Sequence, residues 1–411
     1  MLKKNLSFST ITTSSRLVSG FFLIFVLARL LPIEDFGKFT YSLVFSNILV
    51  LIIEYGYSLK LSKDTAFNIN NISSLTWNSF KVKIYLTAFV ALILLILFFL
   101  KYPDKQLINI IIILTFSSAF NSLANHFLIP YRSLNRFEVE TKFAFINNLI
   151  LFTTVFFVTF FSKNILFIAS AFLSVKVIYC TLTIKKFIND FGFKSERINL
   201  RSEIQDGLPY AIHIGVGSIL LNIDTVILKE FVSDTEIGIY QAGMRALGAC
   251  TIGLGILNSV LIPKLSNLIE NDKQKLLSVS TKLNYLSIFL GGSIAIFINI
   301  FSEQLIYIVY GEEFAELSKY VFYFSIIIFL RYLSVLYGAI LTISNLQKIR
   351  TYCVSFALIL ILFLDLFMIP KYKINGALYV LIVAHIILLI CYFFYSYKSY
   401  KSTFLNYKYV K

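Results

Sequence analysis

The stretch AFVALILLILFFL at residues 88–100 decides the fold class, because it contains thirteen apolar side chains in succession and no charge. A strand of a membrane barrel alternates polar and apolar side chains, so a continuous run of this kind predicts a membrane-spanning helix instead. Residues 355–369 form a second long run that is apolar except for Ser355 and Asp365. We therefore predict an all-α membrane protein.

The composition of the chain excludes a soluble globular protein. Of the 411 residues, 58% are hydrophobic and 14% are charged, whereas a soluble domain has about 25% charged residues. The four cysteines and three histidines are scattered without the spacing of a disulfide framework or a metal site. The sequence therefore predicts neither a metal ion nor a cofactor.

Twelve windows are long and apolar enough for membrane spans of about 20 residues each. They lie at 10–31, 40–59, 82–100, 107–129, 143–161, 165–183, 208–228, 239–262, 283–301, 319–342, 351–369 and 376–397. All six prolines lie near a window boundary or in a loop, where a helix tolerates proline best.

The basic residues predict the orientation of these spans. When each span end is counted with its adjoining loop, the segments on the side of the N-terminus contain 24 Lys and Arg residues, and the opposite segments contain 9. Because basic residues are enriched in cytoplasmic loops, we expect a multi-pass protein with both termini in the cytoplasm. This bias accounts for the net charge of +15, so we predict no binding to nucleic acid.

A short repeat suggests that the chain has two halves. The segment EDFGKF at 34–39 recurs as TEIGIY at 235–240, and each copy follows the first span of its half. Six spans per half would make the halves parallel repeats, and such pairs commonly place a substrate site between them. We accordingly predict an N-terminal lobe at 1–184, a cytoplasmic linker at 185–207 and a C-terminal lobe at 208–411. The alternative is that the duplication records only how the scaffold arose.

Seven ionisable residues lie deep within the predicted spans, away from the span ends, where each costs about 2.5–3.5 kcal/mol and commonly marks a functional site. They are Arg16, Lys176, Arg245 and Arg331 among the bases, and Glu54, Asp224 and Asp365 among the acids. Because the planar guanidinium of arginine suits diphosphate, we predict that the bases bind an anionic substrate in a water-filled cavity. We predict that the acids couple transport to an ion.

Structural roles for the same residues stay open. Lys176 could extend its amine to the interface, and Glu54 and Asp365 could pair with a base on a neighbouring helix. Asp224 could pair with Arg245, and internal salt bridges are also the alternative for the arginines.

Several motifs resemble the polysaccharide transporter family. They are IGIYQAGMR at 237–245, LIPKLS at 261–266, ARLL at 28–31, FGKF at 36–39 and EYG at 54–56. This family contains the flippases for O-antigen and capsule repeat units, and it belongs to the superfamily of the multidrug and toxin extruders and the lipid II flippase.

The resemblance implies two six-helix lobes that form a V around a central, cation-lined cavity. It also implies a bacterial inner-membrane flippase, which moves undecaprenyl-diphosphate-linked oligosaccharides from the cytoplasmic to the periplasmic leaflet by alternating access. The arginines of the family's cavity would match Arg16 and Arg245, whereas Arg331 rests on its depth alone. Membrane lipid and a polysaccharide polymerase are the further partners that the resemblance suggests.

Two other function classes compete with the flippase. An ion-coupled multidrug exporter on the same scaffold would favour acids in the spans, whereas four bases stand here against three acids. A membrane polysaccharide polymerase would place catalytic groups on a long extracytoplasmic loop, but the longest such loop is only 302–318. We interpret the acids of that loop as a solvated turn and predict that the chain is not an enzyme.

Overall fold

The fold is helical throughout the part of the chain that the structure, a computed structural model, describes: residues 2–100, 104–194, 199–271 and 273–408. No strand occurs in these ranges, in agreement with the predicted all-α class. The chain divides into two compact units, Met1–Asn222 and Ile223–Lys411.

The first unit contains nine α-helices among its described residues. They are α1 (Leu2–Leu30), α2 (Ile33–Glu54), α3 (Tyr57–Phe67), α4 (Ile72–Phe99), α5 (Lys105–His126), α6 (Ile129–Ser133), α7 (Phe137–Phe161), α8 (Ile165–Phe191) and α9 (Leu200–Leu220). Helix α5 is central and packs against α2, α4 and α8, while α7 packs between α1 and α8. An aromatic cluster around Trp77 joins α4, α5 and α8, with the rings of Trp77 and Phe127 5.0 Å apart in an edge-to-face contact.

The second unit contains seven α-helices in the described ranges. They are α10 (Ile223–Lys229), α11 (Asp234–Cys250), α12 (Ile252–Asn271), α13 (Lys273–Ile300), α14 (Ser302–Val309), α15 (Ser318–Ile343) and α16 (Gln347–Lys408). Helix α15 is central and packs against α11, α12, α13 and α16. Gly243, part of the motif at 237–245, lies so close to the ring of Phe324 that a Cβ atom would overlap it. This motif glycine therefore serves the packing of α11 on α15.

The predicted spans coincide with helices, although their boundaries and number differ. Window 239–262 is broken at Thr251 between α11 and α12, whereas windows 351–369 and 376–397 lie in α16, which is interrupted at Lys373. Within the described residues, eight helical stretches are long and apolar enough to cross a membrane. The number becomes nine if α9 and α10, which are bent by 51°, form one span. Twelve spans in two lobes stay a prediction.

The repeated segment begins a helix in both units. Helix α2 starts at Ile33 and α11 at Asp234, which is the 201-residue offset of the two sequence copies. In α11 the start is a capping box: the hydroxyl of Ser233 accepts the N–H of Glu236, whose carboxylate accepts the N–H of Ser233. The sequence similarity thus records a shared helix start.

The boundary between the compact units differs from the predicted one. Helix α9 packs on α2, α3 and α4, so residues 208–222, assigned to the C-terminal lobe from the sequence, belong to the first unit. In the predicted linker, residues 195–198 lie outside the described residues. The division into lobes at 1–184 and 208–411, with a linker at 185–207, therefore stays a prediction.

Helix α9 crosses the first unit at the break between α2 and α3. Gly56 has the left-handed φ of +72° at this break, and a Cβ atom there would lie 2.4 Å from the backbone of Tyr210 in α9. The amine of Lys60 in α3 pairs with Glu203 of α9 at 2.6 Å. Glycine is required at 56 both for its backbone conformation and for this close approach.

We expect Gly56→Ala to lower the free energy of unfolding by about 1–3 kcal/mol, the usual cost of forcing an extra group into a packed site. The measurement is the thermal midpoint of the purified protein in detergent. Gly217→Ala in α9 is the control, because a Cβ atom at Gly217 meets nothing within 4 Å. An unchanged midpoint for Gly56→Ala would contradict the close contact between α9 and the break.

Candidate functional site

A polar cavity of about 490 Å³ lies within the first unit. Its lining includes Arg16 of α1, Glu54 of α2 and Arg132 of α6. Helix α5 contributes Ser118, Asn121, Ser122 and Asn125, which recur at intervals of three and four residues and so share one helix face. In the sequence this face corresponds to the polar residues of FSSAFNSLANH at 116–126, which carry no full charge and therefore do not stand out among the ionisable residues of the spans.

Two arginines of the cavity share one buried carboxylate. Arg132 donates to both oxygens of Glu140 at 2.6 and 2.5 Å, and Arg16 donates to Oε1 of Glu140 and to Oδ1 of Asn125, both at 3.2 Å. Glu140 is buried, whereas 38% of the Arg16 side chain and 36% of the Arg132 side chain remain exposed. Two guanidiniums against one carboxylate leave an excess positive charge on the cavity wall.

Glu54 is paired with a lysine that the sequence analysis missed. The amine of Lys83 is 2.9 Å from Oε2 of Glu54, and the hydroxyl of Ser122 donates to the same oxygen at 2.5 Å. Only 1% of the Lys83 side chain is exposed. Lys83 is the second residue of window 82–100 and therefore reads as the edge of a loop, but α4 begins ten residues before that window and places Lys83 well inside the helix. An ion-coupling role for Glu54 would require this pair to open.

Lys176 is buried in α8 and does not extend to an interface. Its amine donates to Oδ1 of Asn147 at 3.1 Å and lies 5.7 Å from the ring centre of Tyr179. Lys176 is not among the described residues that line the cavity, although its charge interacts with that of Arg16. The predicted direct contact with substrate is therefore not visible in this arrangement.

Two of the predicted acids lie close together in the second unit. Asp224 of α10 and Asp365 of α16 are fully buried where these helices pack together, and their charges are close enough to interact. The hydroxyl of Tyr240 donates to Oδ2 of Asp224. Among the described residues, Oδ1 of Asp224 and both carboxylate oxygens of Asp365 have no hydrogen-bond partner. The arrangement leaves three buried oxygens uncompensated.

The alternative in which Asp224 pairs with Arg245 is not realised. Asp224 is held by Tyr240, and Arg245 of α11 has no acidic partner in the described part of the chain, where its buried Nε also lacks an acceptor. Arg331 of α15 likewise has no ion pair within the described ranges. The salt-bridge alternative is therefore wrong for both arginines in this conformation.

Comparison with known proteins reveals one family and one fold. Residues 1–269 match the family described as "Polysaccharide biosynthesis protein". The capsular polysaccharide biosynthesis protein CapF of Staphylococcus aureus is 22% identical over 410 residues, which cover 95% of this chain and 98% of that protein.

Two solved structures of membrane proteins are similar over nearly the whole chain. The inward-facing conformation of a multidrug resistance MATE transporter of the MOP superfamily has a TM-score of 0.73 at 11% identity, covering 97% of this chain and 98% of that one. The lipid II flippase MurJ in an inward closed conformation has a TM-score of 0.60 at 15% identity, covering 98% and 90%. At such low identity these structures establish the fold alone.

We expect Lys83→Met to lower the free energy of unfolding by about 3 kcal/mol, because the remaining carboxylate of Glu54 would lose its buried partner. The measurement is thermal or denaturant unfolding of the purified protein in detergent. The double variant Lys83→Met with Glu54→Gln should recover part of the loss, since it removes both charges.

Lys319→Met is the control for the loss of stability expected in Lys83→Met. Lys319 pairs with Glu316 at 2.7 Å, but 64% of its side chain is exposed, and such surface pairs contribute about 0–1 kcal/mol. Equal losses in the Lys83 and Lys319 variants would contradict a buried pair at Glu54.

Proposed function

Because the chain belongs to the polysaccharide biosynthesis protein family, we propose that it is a flippase for oligosaccharide repeat units of the capsule or O-antigen type. The substrate is linked to undecaprenyl diphosphate and moves from the cytoplasmic to the periplasmic leaflet of a bacterial plasma membrane by alternating access. The relative CapF supports a polysaccharide pathway, and the similarity of fold to MOP superfamily structures supports a multi-pass transporter.

The observation that carries this proposal is the excess positive charge in the first-unit cavity. Arg16 and Arg132 are held in place by a single carboxylate and retain exposed guanidinium surface. Such guanidiniums bind phosphate oxygens through two parallel hydrogen bonds and stay charged at any relevant pH. A diphosphate would complete their compensation, and the amides of Asn121 and Asn125 could donate to sugar hydroxyls.

The other bases have supporting roles in this proposal. Arg245 and Arg331 have no acidic partner among the described residues, so we assign them as substrate contacts of the second unit. Lys176 is occupied by Asn147, and we assign to it the task of raising the positive potential around Arg16. These assignments rest on charge and depth.

The buried acids of the second unit supply a candidate site for energy coupling. An ionised carboxylate in dry surroundings is costly unless a counter-charge or a proton neutralises it. Asp224 and Asp365 offer three oxygens without a donor to a proton or a small monovalent cation. We propose that occupation of this pair links the flippase to an ion gradient.

An exporter of cationic drugs fits the cavity less well. Because Lys83 balances the carboxylate of Glu54, the two guanidiniums against Glu140 leave a net positive charge at the cavity, and like-charge contacts oppose the binding of cations. Transport of a cationic dye therefore distinguishes an exporter from a flippase.

In vesicles containing the purified protein, we expect Arg16→Gln to slow translocation of a lipid-linked oligosaccharide about tenfold or more, since a hydrogen bond to a charged group contributes about 1.5–3 kcal/mol. Arg16→Lys should retain part of the rate. Translocation is measured by accessibility of the oligosaccharide to a lectin added outside, with cationic dye transport measured in parallel.

Arg201→Gln is the matched control, because Arg201 is an exposed arginine of α9 in the same unit and does not line the cavity. It should translocate at the wild-type rate. A wild-type rate for Arg16→Gln would remove the cavity from the substrate path, and efficient dye transport without oligosaccharide transport would favour the exporter.

We expect Asp365→Asn to abolish the stimulation of translocation by an imposed gradient while lipid-linked oligosaccharide still binds, because the amide cannot exchange a proton or balance a cation. Proton and sodium gradients are imposed in separate experiments. Glu303→Gln, at an exposed residue of α14, should keep the wild-type response. Full stimulation in Asp365→Asn would exclude this carboxylate from coupling.

A further inference from the structure

A second cavity of the first unit is an apolar groove between α7 and α8, with a volume of about 720 Å³. Ile146 and Ile150 of α7, with Ile178 and Leu182 of α8, line it and are exposed on the outer surface of the helices. We call this feature the α7–α8 groove. Along α7 it extends from residue 138 to 150, or about 18 Å at 1.5 Å per residue, which is slightly more than one leaflet, about 15 Å, of a hydrocarbon core about 30 Å thick.

One end of the α7–α8 groove is charged. Glu138 and Lys142 lie there at the beginning of α7, and Lys186 lies there near the end of α8. Lys186 and Arg136 both pair with Asp190, while Lys142 has no ion pair within the described residues. These three cations outnumber the carboxylates of Glu138 and Asp190, so this end of the α7–α8 groove has a net positive charge. It lies on the side that the bias of basic residues predicts to be cytoplasmic.

The α7–α8 groove and the polar cavity lie on opposite faces of α7. Residues of an α-helix are 100° apart around its axis, so Glu140 points away from Glu138 and Lys142 and reaches the cavity arginines. On the groove floor, the hydroxyl of Tyr179 donates to Oδ1 of Asn125 at 3.2 Å, and the same oxygen accepts Arg16. A ligand in the groove would therefore lie one helix away from the cavity.

We propose that the α7–α8 groove is the docking site for the polyprenyl chain of the carrier lipid, with its diphosphate at Lys142 and Lys186. The apolar wall can pack against a hydrocarbon chain of the cytoplasmic leaflet. The positive end can bind an anionic headgroup, because this end lies at the predicted cytoplasmic surface of the membrane. From this site the headgroup has only to pass the α6–α7 corner to reach Arg132. The inference rests on the proposed function for its substrate, but its test measures binding separately from translocation.

The direct test is photocrosslinking in vesicles of phosphatidylethanolamine and phosphatidylglycerol that contain radiolabelled undecaprenyl diphosphate. A benzophenone amino acid replaces Ile178 in the groove or, as a control, Phe289, an exposed residue of α13. We expect labelling from position 178 that exceeds labelling from position 289 and that unlabelled undecaprenyl diphosphate competes away. Preferential labelling of phosphatidylglycerol from position 178 would overturn the proposal and assign the groove to a phospholipid.

Two substitutions test the two ends of the site by equilibrium binding of undecaprenyl diphosphate. Ile178→Trp fills the apolar part and Lys142→Gln removes the unpaired amine, and we expect each to weaken binding about tenfold, which corresponds to about 1.4 kcal/mol. The matched controls are Ile296→Trp, at an exposed isoleucine of α13, and Lys163→Gln, at the opposite end of α7. Both controls should bind like the wild type.

Failure of the groove and failure of the proposed function give different results. If the wild type translocates the lipid-linked oligosaccharide but neither substitution weakens binding, the groove is not the docking site and the flippase stands. If the carrier lipid binds the groove but the wild type moves no oligosaccharide, the docking site stands and the flippase does not.

Discussion

Compensation of charge within the membrane is the constraint on which this structure depends. An ionisable side chain at the centre of a span costs about 2.5–3.5 kcal/mol on insertion scales and needs a partner or water. In the first unit, Glu140 meets this need for Arg16 and Arg132 together. The same contacts tie α1 and α6 to α7, so the cavity wall and its charge come from one set of hydrogen bonds. A cavity built in this way is positive without leaving any guanidinium free to move.

The two units meet the constraint differently. The first unit compensates Glu54 with Lys83 and leaves a small positive excess at the arginines. The second unit keeps the bases and acids of its predicted spans apart, so that Asp224 and Asp365 lack cations while Arg245 and Arg331 lack carboxylates in the described part of the chain. Uncompensated buried groups of opposite sign are more costly than a paired arrangement. An anionic substrate at the arginines and a cation or proton at the aspartates would each remove the cost of an uncompensated charge. This is the physical basis for coupling transport of the anionic substrate to a cation or proton.

The sequence predicts the helices and most of the unusual charges, because apolar runs and ionisable residues within them are local signals. It does not predict where the helices end. Helix α4 begins at Ile72 rather than at 82, so Lys83, which the apolar window places at a span end, lies well inside the helix. Pairings such as Arg16 with Glu140 and Lys60 with Glu203 join residues more than 100 positions apart, and no local pattern specifies them. For this reason the sequence does not single out Arg132 and Glu140, which lie near helix ends, and the pairing of Asp224 with Arg245, which the sequence leaves open, is not formed.

The start of α7 connects the cavity with the proposed docking site. In FEVETKF at 137–143, the three charged residues are spaced two positions apart. Residues two positions apart in a helix point to nearly opposite sides. Glu140 therefore serves the cavity while its neighbours Glu138 and Lys142 serve the α7–α8 groove. A helix with its side chains is about 10–12 Å wide, so a diphosphate docked at Lys142 would have to move by roughly that distance to reach Arg132. In this proposal the diphosphate enters the cavity by a short lateral movement around the charged end of α7. The hydrocarbon chain stays in the membrane during this step.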